Sequence, residues 1–180
     1  MRKPAVAIAV VLITLTAGIL GFATATAFGP GEAGTGAGAG AERMIVVRDR
    51  AGDELASLPL NGDTFSVSYR NSIYQTLAEE RYLVGADESY QLVEIAADQL
   101  AVIEEYYAVP GAPSPAPAGD RRAYVVPPDP NHPAVFDALS IAATDLGERT
   151  IHIPGSAPFA LWQLVDDATP YLVLEIKEIP

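Results

Sequence analysis

The sequence predicts a mainly β protein: a small antiparallel β-sandwich or barrel-like domain behind an N-terminal transmembrane or signal helix. Three observations predict it. Residues 5–22 (AVAIAVVLITLTAGILGF) carry no charge. Beyond residue 43 the apolar residues fall into short runs broken by Gly, Asn, Asp and Pro, the texture of an all-β chain. In the clearest run, apolar and hydroxyl side chains alternate with the two-residue period of a strand.

The N-terminal element comes first. Met1, Arg2 and Lys3 form a basic start, and the uncharged run that follows exceeds the about 7–15 residues of a cleavable signal core. It approaches the about 20 residues that span a bilayer, which favours an anchor. The small residues of 23–27 (ATATA) also suit signal peptidase, so secretion after cleavage is the alternative. With Arg2 and Lys3 retained in the cytoplasm, the positive-inside rule places the rest of the chain outside it. Residues 1–28 are thus the signal or transmembrane segment. Residues 29–42, rich in Gly and Ala, can bury little apolar area and read as a flexible tether. Residues 43–180 are the extracytoplasmic β domain, of one domain's length.

Composition narrows the function. The 180 residues hold 11 Lys+Arg against 23 Asp+Glu, a net charge of -12. Such a surface repels phosphate backbones and anionic headgroups, which disfavours nucleic acid and anionic lipid as partners. There is no cysteine, so disulfides, thiol nucleophiles, a lipoprotein anchor and Cys-ligated zinc are excluded.

The elements follow in order. Residues 44–48 form a strand, and Ala51-Gly52-Asp53 turns it into residues 54–60. Asn61-Gly62-Asp63 makes a second turn that accepts positive φ before residues 64–71. There Phe65, Val67 and Tyr69 alternate with Thr64, Ser66 and Ser68, giving one apolar and one hydroxylated face. Residues 76–84 and 89–96 flank a hairpin turn at Gly85-Ala86-Asp87-Glu88. Residues 101–109 suit either a strand or a short helix. The prolines of 110–118 (PGAPSPAPA) and 127–133 (PPDPNHP) make surface loops around a short strand or edge at 122–126. Residues 138–143 and 149–154 bracket Asp145-Leu146-Gly147 as a hairpin. Residues 159–165, with the single Trp162, suit a helical turn, and 171–179 form the last strand.

Candidate chemistry is sparse. Glu79 and Glu80 are adjacent on a strand, so they point to opposite faces and only one can line a site. Glu80 shares its face with Tyr82 and is the better functional candidate, while the usual exposure of glutamate favours a solvated position for either. Glu104 and Glu105 beside Tyr106 and Tyr107 offer acids with phenols, as a sugar or amine site would; exposed acids with core aromatics are the plainer reading. His132 and His152 lack zinc-site spacing and Asp129-Pro130-Asn131 lacks that of a calcium loop, so no metal and no cofactor are expected. Neither Gly155-Ser156 nor Ser72 has a base placed for it.

Residues 65–107 carry a resemblance. Tyr69-Arg70-Asn71-Ser72-Ile73, then Glu79-Glu80-Arg81-Tyr82, is similar to the domain-of-unknown-function family 1850, whose members carry Tyr-x-His-Ser-Val and later Pro-Val-Glu-Glu with an aromatic. Asn71 stands where that family has His, and Leu77 replaces Pro. Asn71 donates and accepts hydrogen bonds but cannot titrate, which removes proton transfer there. The resemblance implies an accessory protein of TRAP-type (TAXI subfamily) transporters, touching the transporter's membrane or solute-binding subunit.

The expected function is therefore a non-enzymatic, membrane-tethered domain that binds a solute or transporter subunit. Tyr69, Asn71, Ser72, Glu79, Glu80, Glu104 and Tyr106 are the candidate binding residues. A carboxylate-dependent hydrolase built on Glu80 or Glu104 with a tyrosine is the alternative. An envelope structural or adhesion module, which would show an apolar surface patch, is a third reading.

Overall fold

The computed structural model describes residues 42–179. The uncharged N-terminal run and its tether lie outside the described residues. Among the described residues no helix is long and apolar enough to cross a membrane.

Among the described residues twelve strands follow one another: β1 (Glu42–Asp49), β2 (Glu54–Pro59), β3 (Thr64–Arg70), β4 (Leu77–Val84), β5 (Tyr90–Ala97), β6 (Ser114–Pro115), β7 (Tyr124–Val126), β8 (Val135–Phe136), β9 (Ala138–Ala142), β10 (Thr150–His152), β11 (Phe159–Ala160) and β12 (Tyr171–Ile179). A π-helical turn, Val102–Tyr107, follows β5, and a 3₁₀ turn, Leu161–Leu164, follows β11. All strand pairings are antiparallel. A four-stranded sheet runs β2-β1-β12-β9; the larger sheet runs β11-β10-β3-β4-β5-β7-β6, with β8 paired to β5. Neither sheet closes on itself, so the barrel-like alternative is set aside.

One apolar core joins the two sheets. Ile45 and Val47 of β1 face Ile176 and Leu174 of β12, and these pack with Phe65, Val67, Tyr82, Val84, Tyr90 and Ile151 of the larger sheet. Phe65 stacks on Tyr82 at 5.0 Å between centroids, and Tyr90 meets both rings edge-on. Tyr90 also donates its hydroxyl to the Leu174 carbonyl at 2.8 Å, which satisfies a phenol buried between the sheets. A second cluster covers the rest of the larger sheet's inner face. There Tyr69, Ala78, Ile95, Ala97 and Val126 pack under Val102 and Ile103 of the π-helical turn. This resolves the choice left open at 101–109 in favour of a helical turn.

The expected hairpin at 138–154 does not form. Its first arm, β9, pairs with β12 in the small sheet, whereas its second arm, β10, pairs with β3 and β11 in the large one. Asp145-Leu146-Gly147 is a crossover between sheets. Ile141 and Ile151 both belong to the shared core, a placement that two facing strands of separate sheets achieve as well as a hairpin does. Asn61-Gly62-Asp63 is likewise a crossover, with Gly62 at φ 98°. The hairpins β1–β2 and β4–β5 form as expected, and the proline segment at 110–118 adds only the two-residue edge β6.

Removing the Tyr90 hydroxyl tests the link between the sheets. Tyr90→Phe is expected to lower the unfolding free energy by about 1–2 kcal/mol in urea titrations, with an unchanged slope.

Candidate functional site

The period of a strand sorts the polar residues. On β3, Phe65 and Val67 enter the core, so Ser66 and Ser68 emerge on the outer face of the larger sheet. Opposite them on β4 stand Arg81 and Glu79, and on β10 His152 pairs with Ser66. That face is covered, since Ser66, Ser68 and Glu79 are all buried and Glu79 is 0% exposed. The connection from β6 to β7 supplies the cover, turning through Gly119 at φ 89° and laying Asp120, Arg121 and Arg122 against β4.

Glu79 sits at the centre of an arginine cluster. Arg121 grips both its oxygens, Nε donating to Oε2 at 3.2 Å and Nη2 to Oε1, while Arg81 Nε donates to Oε1 at 3.1 Å. Arg121 Nη2 also reaches Ser66 Oγ at 3.0 Å. Arg81 continues outward to Glu94 at 2.6 Å and forks onto both Asp120 oxygens at 2.9 and 2.6 Å. Arg122 donates to Asp98 at 2.9 Å but leaves its buried Nε, 3.5 Å from Glu79, without a hydrogen bond. Burial raises the Glu79 carboxyl; the hydrogen bonds from Arg121 and Ser66 and the charges of Arg121 and Arg81 overcome it and hold the group below its ordinary value. Glu79 is therefore ionised at neutral pH, and the expectation of a solvated side chain there is corrected. Exposure statistics for glutamate do not apply where guanidinium groups replace water.

His152 completes the outer face. Its Nε2 lies 2.8 Å from Ser68 Oγ, the diagonal neighbour across the strand pair. Burial, then the Arg121 charge, keeps it below the ordinary imidazole range against the pull of Glu79, so it is neutral at pH 7. A neutral histidine beside a serine has the form of a nucleophile and base, but Ser68 is not among the residues lining the adjacent cleft.

That cleft has a volume of about 680 Å³. Ser66, Glu79, Arg81 and His152 form its floor, Arg121 and Glu94 stand at its margin, and Val93, Ile153, Pro154 and Pro158 supply apolar wall. A bulge in β5 opposite Arg81 and Tyr82 inserts Val93 beside the floor. The four charged lining residues, Glu79, Arg81, Glu94 and Arg121, cancel, so the cleft is formally neutral in an acidic protein.

The other sequence candidates sit elsewhere. Glu80 faces inward and accepts from Tyr82 at 2.8 Å and from Tyr107 at 2.7 Å, while Tyr69 donates to the Tyr107 hydroxyl at 2.8 Å. Burial, reinforced by the Glu80 charge, raises the Tyr107 phenol well above its usual range. Tyr69 and Glu80 are thus brought together, on the face opposite Glu79. Asn71 is 1% exposed and holds a turn, its Oδ1 accepting from the Ile73 and Tyr74 amides at 3.0 and 3.1 Å. Ser72 is exposed at the same turn, and Glu104 and Tyr106 are exposed on the π-helical turn, apart from the cleft. Of the seven candidates only Glu79 lines the cleft. Ser66, Arg81, Arg121 and His152 were missed. Their signals were the hydroxyl face of β3 and the charged Asp120-Arg121-Arg122 in an otherwise uncharged proline-rich segment.

Comparison with protein-family models, with curated proteins and with solved structures gives no match for this chain.

Two substitutions separate the roles. Glu79→Gln is expected to destabilise the fold by about 3–5 kcal/mol at pH 7, because the arginines lose their buried counter-charge. The folded carboxyl lies below its unfolded value, so this stabilisation is present above the ordinary carboxylate range and fades as pH falls through the folded value. Urea titrations of both forms should therefore converge on acidification. Asn71→Ala is expected to cost about 1–2 kcal/mol of stability through two lost turn hydrogen bonds, read by the same titrations.

Proposed function

We propose that this chain is a membrane-tethered, extracytoplasmic accessory domain that binds a small solute, working with a TRAP-type (TAXI) transporter. The observation that carries the proposal is the cleft on the outer face of the larger sheet. A fixed polar floor beside an apolar wall is the usual form of a small-molecule site, and about 680 Å³ falls in the usual size range. The Glu79–arginine cluster preorganises that floor, because each group already has protein partners and need not reorganise when a ligand arrives.

Location and partner rest on the sequence. The uncharged run after Arg2 and Lys3 supports export, and the likeness of residues 65–107 to family 1850 supports the transporter context. The non-enzymatic reading is favoured over a hydrolase built on Glu80 or Glu104, because Glu80 is occupied by two phenols on the inner face and Glu104 is exposed away from the cleft. The two-sheet architecture fits a small antiparallel β-sandwich.

The test uses the full chain in nanodiscs against a library of small solutes, read by the thermal midpoint of unfolding. At least one solute is expected to raise the midpoint saturably. Val93→Asp, which puts a charge on the apolar wall, should abolish that rise, and the midpoint of the unliganded variant is measured alongside to show that it folds. A library without a saturable hit, or a hit indifferent to Val93→Asp, removes the proposal.

A further inference from the structure

The geometry points to a one-headed organic acid as the ligand of this cleft: a monocarboxylate whose apolar body lies along Val93, Ile153 and Pro158 with its carboxylate on Arg121. This rests on the reading of the cleft as a solute site and names the chemical class it selects. Arg121 is the origin of the argument. Its side chain is 50% exposed at the margin, and its Nε and Nη2 are committed to Glu79 and Ser66. Nη1 has no protein partner among the described residues, so one edge of a guanidinium already oriented by Glu79 is open to an acceptor.

The other charged groups narrow the class. Arg81 spends four of its five N–H groups on Glu79, Glu94 and Asp120 and has one left for a ligand. Glu79 accepts three hydrogen bonds from Arg81 and Arg121 and has no exposure to water, and its negative charge is matched by the arginines that grip it. His152 is committed through Nε2 to Ser68, and its Nδ1 has no protein partner among the described residues. Nδ1 donates or accepts according to which of the two partners gives the hydrogen in the Ser68–Nε2 pair, so His152 does not decide the ligand's class. At the Arg121 margin the unused group is a cationic donor, which favours an anionic acceptor there over an ammonium; the unused acceptor of the cleft is Glu94 Oε2, since Arg81 holds Oε1.

Two features oppose a second carboxylate. Glu94 lines the same cleft, and the rest of the wall facing the ligand is apolar, so a dianion would place its second charge against apolar wall or acid. An apolar body, in contrast, removes Val93, Ile153 and Pro158 from water.

Four fluorinated probes of nearly one shape test this by ¹⁹F NMR with the full chain in nanodiscs: 4-fluorobenzoate, 4-fluorobenzamide, 4-fluorobenzylammonium and 2-fluoroterephthalate. Saturable binding of 4-fluorobenzoate is expected, with the amide and the dianion each at least tenfold weaker and no binding of the ammonium. Arg121→Gln should weaken the benzoate at least tenfold. Because that variant also loosens the buried cluster, Glu94→Gln provides a change of opposite sign: removing a cleft acid should tighten the benzoate severalfold. An amide or dianion that binds as well as the benzoate, or a Glu94→Gln variant that binds it more weakly, overturns the monocarboxylate assignment while leaving the cleft as a solute site. No saturable binding by any of the four probes also overturns it, whereas the solute-site reading falls only with the library test.

Discussion

A carboxylate with no exposure to water, Glu79, is the constraint on which the outer half of this structure depends. An ionised carboxylate buried alone would be driven to take up a proton. It stays charged because Arg81 of its own strand and Arg121 of the β6–β7 connection replace the water it has lost. The same interaction runs the other way. The connection, residues 116–123, follows an edge strand of only two residues and has little apolar area of its own to hold it. Its attachment is electrostatic: Asp120 on Arg81, Arg121 on Glu79, and Arg122 on Asp98.

Such an arrangement trades energy for geometry. Replacing a buried ion cluster with apolar residues of similar volume is often neutral for stability, so the cluster is weak evidence for a purely stabilising role. A guanidinium held at two of its three nitrogens has its third aimed in a fixed direction, and Arg121 stands in that condition at the margin of the cleft. Preorganised donors of this kind bind without reorganising, which distinguishes a recognition surface from a surface ion pair of negligible worth.

Much of the fold was legible in the sequence because strand period is a local property. Phe65, Val67 and Tyr69 against Ser66 and Ser68 predicted both faces of β3, and β12 emerged where its apolar run began after Pro170. The partner of a strand is not a local property. Arms of similar pattern at 138–142 and 150–152 read as a hairpin, yet the chain between them crosses from one sheet to the other, and nothing in either arm distinguishes the two outcomes. The site was less legible for a related reason. Glu79, Arg121 and His152 come from three distant stretches, and only the pairing of β3 with β4 and β10 brings them together. Asn71 shows the reverse error: the side chain at a motif position is occupied by the backbone amides of Ile73 and Tyr74 in the turn that follows it.

Glu79 and Glu80 bring these points together. They are neighbours in sequence with the same chemistry, and the pleat sends them to opposite faces. Outside, Glu79 meets guanidinium groups and anchors a segment that borders the cleft. Inside, Glu80 lies where the two apolar clusters meet, accepting from Tyr82 of one and from Tyr107 packed against the other. Phenols give that carboxylate hydrogen bonds without a full opposing charge, and the Tyr69 hydroxyl extends the chain to the end of β3. The inner pair of clusters is thereby joined through one acid and the outer cover through the other. Strand β4 is the common support, so a disturbance of its register by one residue would exchange the two acids and leave each facing the other's partners.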